Sequence, residues 1–216
     1  MKSSTLPMML MTLLTAFTAT SQTTVGVTAG ASFANVKVSA GGISASPKDR
    51  IGIVAGVFVN AALNENISFH PEVNFVQKGY SAKDDYGTEK VNFNYIDVPL
   101  NIVYNQPAGK GIFVGAGPSV GYGFSGIDKF TYADNSMPDE KEKIRFGSGT
   151  DEVKSFEMAA NFIAGYRFHG GFLITANYNL GLSKINNNDG GFDSGKIKNR
   201  YFGVRIGYVF GGGKKK

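Results

Sequence analysis

The chain contains no cysteine and no tryptophan among its 216 residues. Without cysteine it has no disulfide framework, no thiolate metal site and no cysteine nucleophile. It also lacks a basic patch interleaved with aromatic residues, and its formal net charge of +5 is modest, with three lysines in the tail 214–216. This pattern does not favour nucleic acid as a partner. A sustained 3.6-residue period is missing as well, so we expect little helix.

The N-terminus has the three parts of a secretory signal peptide: one early lysine, an apolar run from Leu6 to Phe17, and small residues after it. The run of about 12 apolar residues is too short for a spanning helix, which needs about 20. We therefore predict a signal peptide over residues 1–21, a folded domain over 22–210 and a basic tail over 211–216. The later sequence holds no apolar run of helical length, so any membrane-spanning segment would be a strand.

Eight segments alternate between large apolar residues and small or polar ones, which is the period of a β-strand. They are 24–35, 51–61, 67–78, 91–104, 111–124, 153–167, 172–183 and 199–210. Long polar connections at 37–50, 79–90, 125–152 and 184–198 alternate with short ones at 62–66, 105–110 and 168–171. Long external loops with short periplasmic turns are typical of outer-membrane barrels. The sequence therefore predicts an all-β fold, an eight-stranded antiparallel up-and-down transmembrane β-barrel.

The fourth segment contains a change of phase. Val91, Phe93 and Tyr95 are out of step with Ile96 and the apolar residues after it. We expect a β-bulge at this point, because one extra residue reverses the faces of a strand.

The two faces of the strands leave two classes of protein open. A soluble lipocalin-like binder would turn its apolar face inward, whereas a membrane barrel turns that face to lipid. Glycine, serine, threonine and asparagine crowd the polar face, and eight strands enclose little space, so we favour the polar face inside. Aromatic residues cluster near both ends of the strands, as two interfacial belts require. They are Phe33, Phe75, Tyr122, Phe124 and Phe156 at one end, and Phe69, Tyr104, Tyr166, Phe168, Phe172, Tyr208 and Phe210 at the other.

Four stretches carry a family resemblance: "YIDVPLNIVY" at 95–104, "GIFVGAGPSVGYGF" at 111–124, "ITANYNLGLSKI" at 174–185 and "GYVF" at 207–210. They resemble the PorT-like outer-membrane β-barrel family of Bacteroidetes-type bacteria. The resemblance covers nearly all of the chain after the signal peptide, and it implies a barrel in the bacterial outer membrane. One member of that family is associated with secretion, but most have no assigned activity. Tyr208 and Phe210 resemble the terminal signal that the barrel assembly machinery recognises. The long charged loop at 125–152 and the tail after Phe210 depart from the pattern.

Five ionisable residues fall on the polar faces: Glu72, Asp97, Glu157, Arg167 and Arg205. They could line a selectivity ring or a path for protons or substrate. We favour a network of salt bridges that fills the lumen, because buried charges must be paired. His70 lies two residues from Glu72 and could pair with it, but the chain has no recognisable triad spacing. We expect no catalytic residue, no metal site and no cofactor.

The run "DNSMPDEKEKIR" at 134–145 lies in the longest loop. It is either a solvated loop or a surface that contacts lipopolysaccharide or an extracellular protein, since binding often resides on loops. We expect an integral outer-membrane protein with a structural or interaction role, and a narrow transport or secretion-accessory barrel as the alternative. The expected partners are outer-membrane lipid, lipopolysaccharide, the assembly machinery and a protein bound through residues 125–152.

Overall fold

The computed structural model describes residues 23–40, 43–45, 47–105, 110–133, 137–149, 152–187 and 195–210. The predicted signal peptide and basic tail lie outside these ranges. Within them the strands are β1 (Thr23–Ala40), β2 (Ile43–Ala45), β3 (Lys48–Ala62), β4 (Ile67–Lys83), β5 (Gly87–Asn105), β6 (Gly111–Tyr132), β7 (Glu140–Ile144), β8 (Phe156–Arg167), β9 (Phe172–Gly181) and β10 (Lys196–Phe210). No helix in the described part of the chain is long and apolar enough to cross a membrane.

Eight of these strands form a closed antiparallel ring in the order β1, β3, β4, β5, β6, β8, β9 and β10. The ring closes where β10 pairs with β1, over a register that runs from Val25 opposite Phe210 to Ser39 opposite Lys196. The two short strands lie outside the ring order, with β2 on the end of β1 and β7 on the end of β6. The predicted eight-stranded up-and-down barrel is confirmed. Closure pairs the backbone groups of every long strand and leaves no open edge.

The outer face of the ring is apolar. Ile206, Ile51 and Phe156 expose 69%, 69% and 67% of their surface, whereas their sequence neighbours Arg205 and Glu157 are buried. The soluble alternative with the apolar face inward is therefore wrong. Exposed apolar surface costs about 25 cal/mol per Å² in water, so this face requires a hydrocarbon environment.

Aromatic rings form contacting pairs near both ends of the apolar face. At the long-loop end the ring centroids of Tyr122 and Phe156 are 5.0 Å apart, and those of Phe33 and Phe202 are 6.5 Å apart. At the short-turn end Tyr208 lies 5.2 Å from Phe172 and 5.2 Å from Phe210. Aromatic belts of this kind lie at the two interfaces between hydrocarbon and headgroups.

The strands extend further at the long-loop end than the alternation predicts. β4 and β5 continue to a turn at 84–86, where the Asp84 carboxylate accepts hydrogen bonds from the backbone N–H groups of Tyr86 and Gly87 at 3.0 and 2.9 Å. β6 continues to Tyr132 and pairs with β7. The loops predicted at 79–90 and across 125–152 are wrong to this extent. Both faces of these extensions carry charged residues, such as Lys90 and Glu89, so they lack the continuous apolar alternation from which strands are recognised.

The predicted position of the bulge, in β5, is wrong. Val91, Phe93 and Tyr95 keep the phase of Asp97, and all four are buried inside the barrel. The register between β5 and β6 does shift here, since Asn94 lies opposite Ser125 and Tyr95 opposite Gly123. The extra residue is Phe124, in β6. Three apolar residues face inward because the interior itself becomes apolar at this level.

Candidate functional site

The barrel interior is arranged in layers along its axis. Near the short turns it is closed by two apolar clusters, and near the long loops by two more. The first two are Phe58, Leu173 and Val209, and Val103, Phe113 and Ile163. The other two are Ala34, Val54, Val76 and Tyr201, and Val91, Phe93, Tyr95 and Ile185. Charged and amide side chains lie between these ends.

Arg205 and Glu72 form one ionic group in the polar layer. The Arg205 Nη1 donates to Glu72 Oε2 at 2.6 Å, and each of the two side chains is only 1% exposed. The same nitrogen donates to Thr28 Oγ1 at 3.2 Å and to Asn74 Oδ1 at 3.3 Å. Asn74 and Asn101 donate to the Glu72 carboxylate at 3.0 and 3.4 Å. The pair joins β4 to β10, which are not neighbours in the ring.

Lys78 is the centre of a second ionic group. Its Nζ donates to Asp97 Oδ1 at 2.9 Å and also to Glu157 Oε1. The ammonium lies 4.5 Å from the centre of the Tyr95 ring and 5.4 Å from that of Tyr201. These contacts connect β4, β5, β8 and β10 around one buried cation. Two carboxylates and two aromatic rings surround it, which is the pairing that a charge removed from water requires.

The five residues predicted to form one network in the lumen do not all belong to the same ionic group. Glu72 pairs with Arg205, and Asp97 and Glu157 share Lys78. Lys78 was missing from the predicted network. It stands in phase with the polar residues of the third segment, as the last residue of that segment.

The fifth residue, Arg167, lies at the end of β8. It is partly buried and lines a cavity together with His70, Glu72 and Arg205. The cavity volume is about 10 Å³, roughly the room that one water molecule needs. A space of this size holds no substrate.

His70 is packed into the same part of the interior. Its ring stacks on Phe58 with centroids 4.6 Å apart, and its Nδ1 lies 3.3 Å from Asn60 Oδ1. Its Nε2 is 3.5 Å from Glu72 Oε1. An amide, a carboxylate and an aromatic ring thus surround the imidazole, an environment that fixes its position in the core.

The segment after β7 folds over the mouth of the barrel. Phe146 meets Phe93 and Tyr95 nearly edge-on, with centroid distances of 6.1 and 5.8 Å. Asn187 holds the segment by donating from its Nδ2 to three carbonyl oxygens, those of Gly147 at 3.1 Å, Gly149 at 2.8 Å and Glu152 at 2.9 Å. The apolar layer at this end therefore includes a residue from an external loop.

Beyond the mouth, β5, β6 and β7 form a sheet with two differently charged faces. Lys90, Lys129 and Lys141 lie directly opposite one another on the outward face. Lys129 pairs there with Asp139 at 2.5 Å. The residues of the other face continue the inward phase of Val91, and they are mostly acidic: Glu89, Asp128, Glu140 and Glu142.

The acidic face has a measurable electrostatic consequence. Burial, together with the Glu89 and Glu142 carboxylates nearby, raises the pKa of Asp128. Tyr80 donates to Glu89 at 3.1 Å from the inner side of the sheet. The outward face, by contrast, presents lysine ammonium groups to the surroundings of the barrel.

Comparison with known proteins identifies the same architecture. Residues 18–187 match the sequence model of a family described as the outer membrane protein beta-barrel domain. Among curated proteins, none is significantly similar in sequence to this chain.

Several solved structures are similar to this chain at low sequence identity. Ail, the attachment invasion locus protein of Yersinia pestis, is 16% identical over 88% of this chain and 99% of that one, with a TM-score of 0.49. Neisserial surface protein A is 11% identical over 85% and 96% of the two chains, with a TM-score of 0.43. OprG of Pseudomonas aeruginosa is 10% identical over 87% and 95%, with a TM-score of 0.41. Similarities at this level carry no information about ligands or partners.

Proposed function

Because the chain belongs to the outer membrane protein beta-barrel domain family, we propose that it is a closed barrel whose role lies in its extracellular strands and loops. The family implies a bacterial outer membrane, and the exposed apolar face fits that environment. The proposed role is structural or interactive, without catalysis and without passage of solutes through the lumen.

The filled lumen is the observation that carries this proposal. A solute moving along the axis would meet apolar side chains at both ends and two ionic groups between them. The interior cavity lined by His70 and Arg167 has a volume of only about 10 Å³. Eight-stranded barrels have interiors just wide enough for side chains, which agrees with this packing.

The extracellular sheet supports an interaction role. Its strands continue well past the aromatic residues at the long-loop end, and hydrogen-bonded pairing between β6 and β7 keeps them in place. Lysines on one face and carboxylates on the other give the sheet a charge pattern that a partner of opposite charge could recognise. Phe146 and Asn187 hold the neighbouring segment against the barrel, so the surface is preorganised for binding.

Three finer assignments are also part of the proposal. The first and last described residues, Thr23 and Phe210, lie at the short-turn end, and we propose that this end faces the periplasm after cleavage of the signal peptide. We retain the PorT-like assignment on the basis of "YIDVPLNIVY" at 95–104. Tyr208 and Phe210 are proposed to serve as the signal for the assembly machinery.

Planar-bilayer recording tests the closed barrel. Purified protein in a bilayer should give no stable openings, and heat-modifiable migration on gels should show that the same sample is folded. A triple variant, Lys78→Met with Asp97→Asn and Glu157→Gln, removes one ionic group without leaving an unpaired charge. It should remain closed, because the apolar layers persist. Stable openings of nanosiemens size in the wild-type protein would favour the narrow-transport alternative.

A further inference from the structure

A row of basic side chains lies on the outer wall of the barrel where β1 pairs with β10. Phe33 lies opposite Phe202 in this register, and both side chains face outward. Every second pair of opposite residues above them faces outward too. These pairs are Asn35 with Arg200, Lys37 with Lys198, and Ser39 with Lys196. The residues between them, Ala34, Val36, Asn199 and Tyr201, are buried, which establishes the outward direction of the row. We call Lys37, Lys196, Lys198 and Arg200 the wall patch.

The wall patch places two positive charges directly opposite each other. Lys37 lies directly opposite Lys198, and like charges in that position destabilise a sheet. Arg200 donates through Nε to Asn35 Oδ1 at 2.6 Å, and the Asn35 amide donates in turn to the Asp49 carboxylate. Among the described residues, the Asp49 carboxylate thus reaches the patch through the Asn35 amide. An external anion between the lysines would relieve their repulsion.

The lower part of the patch lies at the height of the headgroup layer. A strand rises about 3.4 Å per residue, and barrel strands tilt by about 40°. Arg200 therefore lies about 5 Å above Phe202, Lys198 about 10 Å and Lys196 about 16 Å above it. The headgroup layer on each side of the hydrocarbon is roughly 5–8 Å thick. Arg200 lies within this layer, the two opposed lysines at its outer boundary and Lys196 beyond it.

We propose that the wall patch binds phosphate groups of an anionic glycolipid of the outer leaflet. The side chains project sideways from the wall, toward the lipids that surround the barrel. Guanidinium and ammonium groups form short, charge-assisted hydrogen bonds with phosphate oxygens. The site thus differs from the basic face of the β5–β7 sheet, which lies on other strands of the ring. The inference depends on the proposed orientation, with the long-loop end outside the cell.

Lipid binding by a matched pair of variants tests this inference. The wall variant carries Lys37→Gln, Lys196→Gln and Lys198→Gln. The control variant carries Lys90→Gln, Lys129→Gln and Lys141→Gln, an equal change in charge on the β5–β7 sheet. Each protein is folded in phosphatidylcholine nanodiscs and titrated with lipopolysaccharide, either intact or with its phosphates removed, and heat-modifiable migration on gels confirms folding.

The wild-type and control proteins should bind intact lipopolysaccharide equally well and the dephosphorylated form weakly. The wall variant should lose on the order of ten- to a hundredfold in affinity for the intact form. Equal affinity of the wall variant and the wild type would overturn the proposal, and so would an equal loss in the control variant. Full competition by millimolar inorganic phosphate would also overturn it, because the patch would then be a site for a small anion. Bilayer recordings on the wild type test the closed lumen separately, so failure of one idea leaves the other standing.

Discussion

Replacing Lys78 by methionine should strongly destabilise the barrel. The change keeps the length of the side chain but removes the cation between Asp97 and Glu157, leaving two buried carboxylates without a counter-charge. Breaking a buried ion pair by removing one partner costs about 3–5 kcal/mol. We expect the free energy of unfolding to fall by about this amount at neutral pH. Acidification should reduce the loss, because a protonated carboxyl no longer repels its neighbour.

Urea unfolding in lipid vesicles, followed by gel mobility, measures this loss. The control is Lys129→Met, which breaks the ion pair with Asp139 on the extracellular sheet. Those side chains are 37% and 38% exposed, so the control should leave stability within error of the wild type. A Lys78→Met protein as stable as the control would refute the assignment of Lys78 as the central buried cation.

A rescue experiment separates unpaired charge from lost packing. Adding Asp97→Asn and Glu157→Gln to Lys78→Met removes both orphaned charges while keeping the shapes of the side chains. Neutral replacement of a buried ionic group is often close to neutral for stability. The triple variant should therefore recover most of the loss. If it were no more stable than the single variant, packing rather than electrostatics would explain the effect.

Three further changes test other parts of the barrel. Gly30→Ala should cost about 1–3 kcal/mol in the same unfolding assay, because its Cβ would lie 1.9 Å from the Val204 carbonyl oxygen. Glu89→Gln should lower the raised pKa of Asp128 toward its ordinary value in a carboxyl NMR titration. Because the pKa of Asp128 is raised in the folded sheet, the free energy of unfolding of the wild-type sheet falls as the pH rises through that pKa. The protection factors for amide exchange should therefore depend less on pH in the variant. Phe210→Ala should fold normally in detergent but accumulate less in the outer membrane of cells, and undiminished accumulation would count against its role as the assembly signal.

The membrane-spanning part of the fold could be predicted because lipid and a narrow lumen impose opposite demands on alternate residues. One face must be apolar and the other small or polar, so each strand carries its signature locally. The extracellular extensions of the strands do not show this alternation. Lys90 and Glu89 both face polar surroundings, and the strand there depends on pairing with β6, which no local pattern reveals.

The polar interior could be predicted only in part. The phase of each strand identifies Glu72, Asp97, Glu157 and Arg205 as inward residues, but the choice of partner depends on how far the strands are staggered around the ring. Lys78 meets Glu157 across 79 positions of sequence, which local spacing cannot indicate. The inward direction of the Val91, Phe93 and Tyr95 side chains was not predicted for a related reason. Apolar residues that face the inside of a barrel cannot be distinguished by sequence from those that face lipid.

The ionic groups bear on whether the barrel can open. Backbone pairing connects each strand only to its two neighbours, whereas Arg205–Glu72 and Lys78–Glu157 connect strands that are not adjacent. A path along the axis would have to separate both groups while the wall stayed closed. Separating either group would leave buried charges without a partner, which is strongly unfavourable. The apolar layers above and below add to this barrier, which agrees with the proposal of a closed lumen.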